Sequence, residues 1–122
     1  MRLGFIQLDV FRAGWKRLKL TDDDLRALES AIMANPTAAP SMRGTGGLRK
    51  IRFAPSASDG GKSGGARVCY AYFGPYGLVY LCLVFAKNER ANLSAAERTW
   101  ARRVIGELER GLRENFGKGR TP

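Results

Sequence analysis

Two glycine-rich segments carry most of the chemistry legible in this chain. The first is Gly44-Thr45-Gly46-Gly47-Leu48-Arg49-Lys50-Ile51-Arg52, the second Gly60-Gly61-Lys62-Ser63-Gly64-Gly65-Ala66-Arg67. Each reads as a turn that feeds basic residues onto a strand. Lys50 and Arg52 stand two apart, so a regular strand projects both from one face, with Arg49, Ile51 and Phe53 on the other. Two neighbouring cations repel unless water screens them or an anion lies between them. Glycine lets backbone N–H groups approach such an anion closely. The chain has no histidine, and no carboxylate cluster lies near these segments. The pattern suits phosphate rather than metal, and no cofactor is implied. Gly61-Lys62-Ser63 has the residues that end a P-loop, but a strand follows where that motif needs a helix.

Other residues extend the candidate site. Arg67 opens the next strand and can complete a tripod with Lys50 and Arg52, its planar fork gripping two phosphate oxygens. Arg43, Arg49 and Lys62 are further candidate phosphate contacts. Tyr70 and Tyr72 are candidates for stacking on unpaired bases, and Tyr76, in a turn, is the tyrosine expected to be most exposed. Trp15 and Trp100 read as packing residues. Lys87, in Lys87-Asn88-Glu89, closes the last strand. Its parity is a difficulty. A simple hairpin register pairs Cys69 with Cys82 and Arg67 with Val84, which sends Lys87 to the face opposite Arg67. A bulge, or a strand ending near Ala86, is needed to reunite them.

The elements that position these residues follow from local signals. Residues 3–11 read as a first strand. Thr21 caps a helix opened by Asp22, Asp23 and Asp24, with Leu20 and Leu25 as its hydrophobic staple. Leu25, Leu28, Ile32 and Met33 form its apolar stripe, and Asn35-Pro36 ends it. Leu48 to Ala54 alternates as a strand, and residues 55–65 read as a mobile loop. Residues 66–73 and 78–86 are strands joined at Gly74-Pro75-Tyr76-Gly77. Ser94-Ala95-Ala96-Glu97 is a capping box, and Trp100, Val104, Leu108 and Leu112 continue as a helical seam. The fold class is α+β: a small, largely antiparallel sheet with helices on one face. Residues 1–116 form one domain, and 117–122 a flexible tail.

Composition sets the frame. At 122 residues the chain is one domain that buries roughly two-thirds of its unfolded surface. Its 21 Lys+Arg against 11 Asp+Glu give +10, a balance that favours a polyanionic partner. Between Arg43 and Arg67 stand six basic residues and one acid, a surplus of five and so half of the net charge. Cys69 and Cys82 make neither a disulfide framework nor a zinc site and read as small buried thiols. The apolar run Leu78–Ala86 is too short for a membrane span, and the N-terminus lacks a signal-peptide pattern, so the expected setting is the reducing cytoplasm, away from membranes.

These segments together resemble the RelE/HigB-type toxins of type II toxin–antitoxin systems, in particular the HigB branch. The resemblance runs from the first glycine-rich segment through Gly61–Tyr70, Tyr80-Leu81, Lys87-Asn88-Glu89 and Leu93, over roughly residues 5–112. It implies a small mixed sheet, two N-terminal helical segments and a C-terminal helix. It also implies a metal-independent endoribonuclease that enters the ribosomal A site and cuts messenger RNA. Lys50, Arg52, Arg67 and Lys87 match the basic active-site positions, and Arg49 and Lys62 supporting contacts. The longer Pro55–Gly61 loop and Ala71, where an aromatic is common, depart from the pattern. The implied partners are mRNA on the ribosome and a cognate helix-turn-helix antitoxin, with DNA reached only through the antitoxin. Two competing readings are a gyrase inhibitor of the ParE branch and a basic RNA-binding module without activity.

Overall fold

The computed structural model describes residues 2–55 and 65–119. The second glycine-rich loop with Lys62, and the last residues of the expected tail, lie outside the described residues. The elements in order are β1 (Gly4–Gln7), α1 (Asp9–Arg17), α2 (Asp22–Ala34), β2 (Arg49–Phe53), β3 (Ala66–Phe73), a 3-10 turn (Gly74–Tyr76), β4 (Leu78–Ala86) and α3 (Ala95–Gly119). The four strands form one sheet in the order β1-β4-β3-β2. β1 runs parallel to β4, and the other pairs are antiparallel. The α+β expectation holds.

Three details differ from the sequence expectation. The first strand ends at Gln7, and residues 9–11 belong to α1. The overlooked signal is Phe11 and Trp15, four apart and both buried, a helical rather than an alternating spacing. Gly14 makes this helix possible where it is. A Cβ there would lie 2.9 Å from Val84 Cγ1 and 3.0 Å from the Val84 carbonyl oxygen. Its absence lets α1 lie against β4 beyond the point where β1 stops.

The helices also cover both faces of the sheet, not one. On one side Phe11, Trp15, Leu28 and Ile32 of α1 and α2 pack on Phe53, Val68, Tyr70, Val79, Leu81 and Val84. On the other, Leu93 and α3 residues Ala101, Ile105 and Leu112 pack on Leu48, Cys69, Ala71, Phe73, Leu83 and Phe85. The physical reason is in β3 and β4, which are apolar at nearly every position instead of every second one, as strands buried on both faces must be. Finally, α3 continues past Gly117, where fraying was expected.

Both expected helix starts are present. Thr21 Oγ1 accepts from the Asp24 amide while Asp24 Oδ2 accepts from the Thr21 amide, each at 3.0 Å. At α3, Ser94 Oγ accepts from the Glu97 amide at 3.1 Å and Glu97 Oε1 from the Ser94 amide at 2.8 Å. Each box satisfies two N–H groups that a bare helix end would leave unpaired.

The first glycine-rich segment is a packing turn. Thr45 is fully buried, its hydroxyl donating to the Met42 carbonyl (2.7 Å) and accepting from the Leu48 amide (3.0 Å). Gly46 has φ +78°, and a Cβ there would sit 3.3 Å from Arg102 Cα. Arg98 donates to the Arg43 carbonyl at 2.7 Å, fastening the same turn to α3. These glycines bring the chain close to a helix, and so deliver Leu48 and β2 to the sheet.

A cationic pocket as the candidate functional site

β2 and β3 pair with Lys50 opposite Cys69 and Arg52 opposite Arg67. Cys69 belongs to the core under α3, so Lys50, Arg52 and Arg67 project from that same face, beyond the apolar residues the helix covers. Two arginines directly across an antiparallel pair repel.

Lys87 reaches this face because the hairpin is irregular. Tyr70 pairs with Leu81, yet Cys69 pairs with Leu83, which leaves Cys82 as an extra residue on β4. This is the bulge that the parity argument required. It places Leu83 and Phe85 in the α3-side core beside Cys69, and Lys87 follows with the same parity. The strand also stops at Ala86. The Lys87 amide donates to the Gly65 carbonyl at 3.1 Å, so the turn after β4 is tied to the entrance of β3. Glu89 secures that turn by accepting from the Ala86 amide (2.8 Å) and pairing with Arg17 of α1. These two bonds, the amide first, hold the Glu89 carboxyl below the usual carboxylate range.

The outcome is a cavity of about 350 Å³ lined by Lys50, Arg52, Arg67, Lys87, Arg90 and Ala91. Among the described residues that line it, five are cations and none is an acid. All four residues expected to form the basic centre line it together, although they come from three strand ends. Lys50 Nζ lies 3.4 Å from the Ala91 carbonyl, closing one wall. Among the described residues no group of three His, Cys, Asp or Glu side chains could hold a metal ion. No described helix is long and apolar enough to cross a membrane.

Arg90 is the residue that sequence reasoning missed. Its guanidinium lies over the Phe85 ring, 4.4 Å from the centroid, and pairs with Glu97 at the start of α3. That hydrogen bond lowers the Glu97 pKa and raises that of Arg90. The signal was present in part. Glu97 was read as half of a capping box, and a carboxylate placed there is also free to accept from a cation in the preceding loop.

The auxiliary candidates sit elsewhere. Tyr70 is fully buried in the opposite core and its hydroxyl donates to the Pro36 carbonyl at 2.8 Å, so it offers no face to a base. Burial pushes its phenol pKa up. Tyr72 packs against that same opposite core. Tyr76 is half-buried, its ring 5.2 Å from that of Phe116, rather than the exposed tyrosine expected. The tyrosines misled because alternation alone does not say which face of a doubly covered sheet is the functional one. Arg49 also points away from the pocket. It donates to the Ala39 carbonyl (2.6 Å) and the Thr37 carbonyl (3.3 Å), pinning the loop after α2 to β2. Arg43 is exposed in the packing turn and does not line the cavity.

Neither cysteine is in a disulfide. Burial pushes both thiols up to about 12. They are buried packing groups and not nucleophiles, as their apolar strands implied.

No family model matches the chain. Among solved structures, it is similar to a double mutant of the E. coli toxin RelE in the free state. The TM-score is 0.50 at 18% sequence identity, over 73% of this chain and 87% of that one. This likeness shows a RelE-like fold, in which a four-stranded mixed sheet carries a C-terminal helix.

Proposed function

We propose that this chain is the toxin of a type II toxin–antitoxin system, of the HigB branch, and that it cuts messenger RNA in the ribosomal A site. The observation that carries this reading is the convergence of Lys50, Arg52, Arg67 and Lys87, with Arg90, on one cavity of a RelE-like fold. Like charges gathered around one cavity repel, and a phosphodiester between them offsets that repulsion.

The chemistry follows from the groups available. The ribose 2′-oxygen forms a bond to its own adjacent phosphorus, and the bond from phosphorus to the 5′-oxygen breaks. The 2′-hydroxyl proton leaves to a base and a proton is delivered to the departing 5′-oxygen. The products are a 2′,3′-cyclic phosphate and a 5′-hydroxyl. Arg67 holds the non-bridging oxygens and Arg52, directly across from it, shares the charge that grows on them. Lys50 and Lys87 flank this pair and are the proton-transfer candidates, alongside groups of the ribosome. The ribosome also bends the message for in-line attack, so activity on free RNA is weak. A basic pocket of this kind suits an acidic antitoxin segment that covers it or bars entry to the ribosome.

Expression arrests growth and leaves cut messages in ribosomes. Arg67→Ala lowers cutting by at least about a hundredfold, the usual effect of removing one donor to a developing oxyanion, while circular dichroism and melting temperature stay near wild type. Cutting by Arg67→Ala at the wild-type rate would refute this assignment of the site. Inhibition of purified gyrase without any cutting would favour the ParE-like alternative.

A further inference from the structure

Arg90 differs from the other cations of the pocket in how it is held. One face of its guanidinium lies on the Phe85 ring, which is itself 1% exposed. Glu97 fixes the group in its own plane through an ion pair. Yet 35% of the Arg90 side chain remains exposed, and it lines the cavity. The face turned away from Phe85 is therefore a flat, oriented surface at the cavity wall. Its neighbour in the wall, Ala91, carries only a methyl group.

A planar guanidinium is one of the two kinds of surface on which proteins stack unpaired bases, the other being an aromatic ring. The tyrosines that the sequence offered for that task are committed to the cores. The cavity is also larger than a phosphate group needs, at about 350 Å³, which is within the range of sites that hold small organic ligands.

We propose that Arg90, laid on Phe85 and held by Glu97, is the base-stacking platform of this pocket. A nucleobase of unpaired RNA lies on its outer face while Lys50, Arg52, Arg67 and Lys87 hold the adjoining phosphate. This rests on reading the pocket as an RNA site. It adds that the site contacts a base, through a residue whose planarity matters as much as its charge.

The test is a binding cycle that needs no cutting. The probe is a short single-stranded RNA with a 2′-O-methyl block at the scissile position, intact or with one base removed next to the blocked phosphate, on either side in turn. The proteins are wild type, Arg90→Lys and Arg90→Ala. Arg90→Lys keeps the charge and a partner for Glu97, so its fold is preserved and its salt slope equals that of wild type. Wild type loses about tenfold in affinity when the stacked base is removed, the usual scale of one base stack. Arg90→Lys binds the intact RNA about tenfold more weakly than wild type and Arg90→Ala more weakly still, with a shallower salt slope, and neither loses anything further when the base is absent. Wild-type affinity in Arg90→Lys, or an equal loss on base removal in all three proteins, overturns the platform while leaving the nuclease reading intact. Failure of the wild type to bind the probe, both free and placed in the ribosomal A site, overturns the nuclease reading, and the platform with it.

Discussion

Glu97 is the side chain on which two parts of the molecule depend at once. One carboxylate oxygen accepts both from the Ser94 amide that starts α3 and from Arg90 in the pocket. Its folded-state pKa is lowered from 4.5, first by the Arg90 hydrogen bond and also by the Ser94 amide. A lowered carboxylate pKa means that the native state binds the proton less well than the unfolded chain. The stabilisation is therefore complete above the ordinary carboxylate value and is lost as pH falls through the folded one. Glu97→Gln should lower stability at neutral pH by about 0.5 kcal/mol, a small figure because both partners are partly exposed. It should also flatten the decline of melting temperature between about pH 5 and pH 3. A variant whose pH profile superimposes on wild type would contradict the role given to this carboxylate.

Among the elements, the join between β3 and β4 is the most demanding. Gly65 has φ +75°, and a Cβ there would stand 2.5 Å from the Phe53 carbonyl oxygen. Its own carbonyl accepts from the Lys87 amide. Gly65→Ala should therefore cost at least about 2 kcal/mol, from the left-handed backbone and the clash together. It should weaken cutting even where the protein still folds, because Lys87 is displaced. Thermal denaturation and a cutting assay on the same sample check both halves. The elements themselves divide cleanly by legibility. α2 and α3 were readable because their starts are written locally, in Thr21 to Asp24 and in Ser94 to Glu97. β3 and β4 were readable as apolar, β-branched and aromatic runs. α1 was not legible from local signals, because a four-residue strand passes into a nine-residue helix with no side-chain cap at Leu8, and only the resemblance implied a second N-terminal helical segment. The side each helix takes was also hidden, since strands buried on both faces carry no alternation to show it.

At the scale of the whole molecule, folding gathers charge that the sequence only scatters. Half of the +10 surplus lies between Arg43 and Arg67, but that segment divides: Arg49 fastens a loop, Arg43 is exposed in the packing turn, Lys62 lies outside the described residues, and Lys50, Arg52 and Arg67 enter the pocket, where Lys87 and Arg90 join them from beyond the end of β4. Lys50, Arg52 and Arg67 were legible because strand side and the resemblance agreed on them, whereas Lys87 came from the resemblance against its parity, which the extra residue on β4 corrects. Arg90 was not, because its orientation is set by Phe85 and Glu97 through tertiary contacts. RNA affinity should fall steeply with salt, with a slope in a log–log plot of about 0.7 per phosphate contact. Arg52→Gln should reduce that slope by about one contact, while Arg49→Gln should leave it unchanged and lower the melting temperature instead. The unpaired Cys82 carries one more implication. It acts as a half-period phase shift in the alternation of β4, so that even-numbered residues lie under α3 before it and odd-numbered ones after it. A chain lacking that single residue would keep the present pairing of Leu83 to Ala86 with β3, but would lose a buried side chain from the core under α3 and the extra twist that the bulge gives the end of β4.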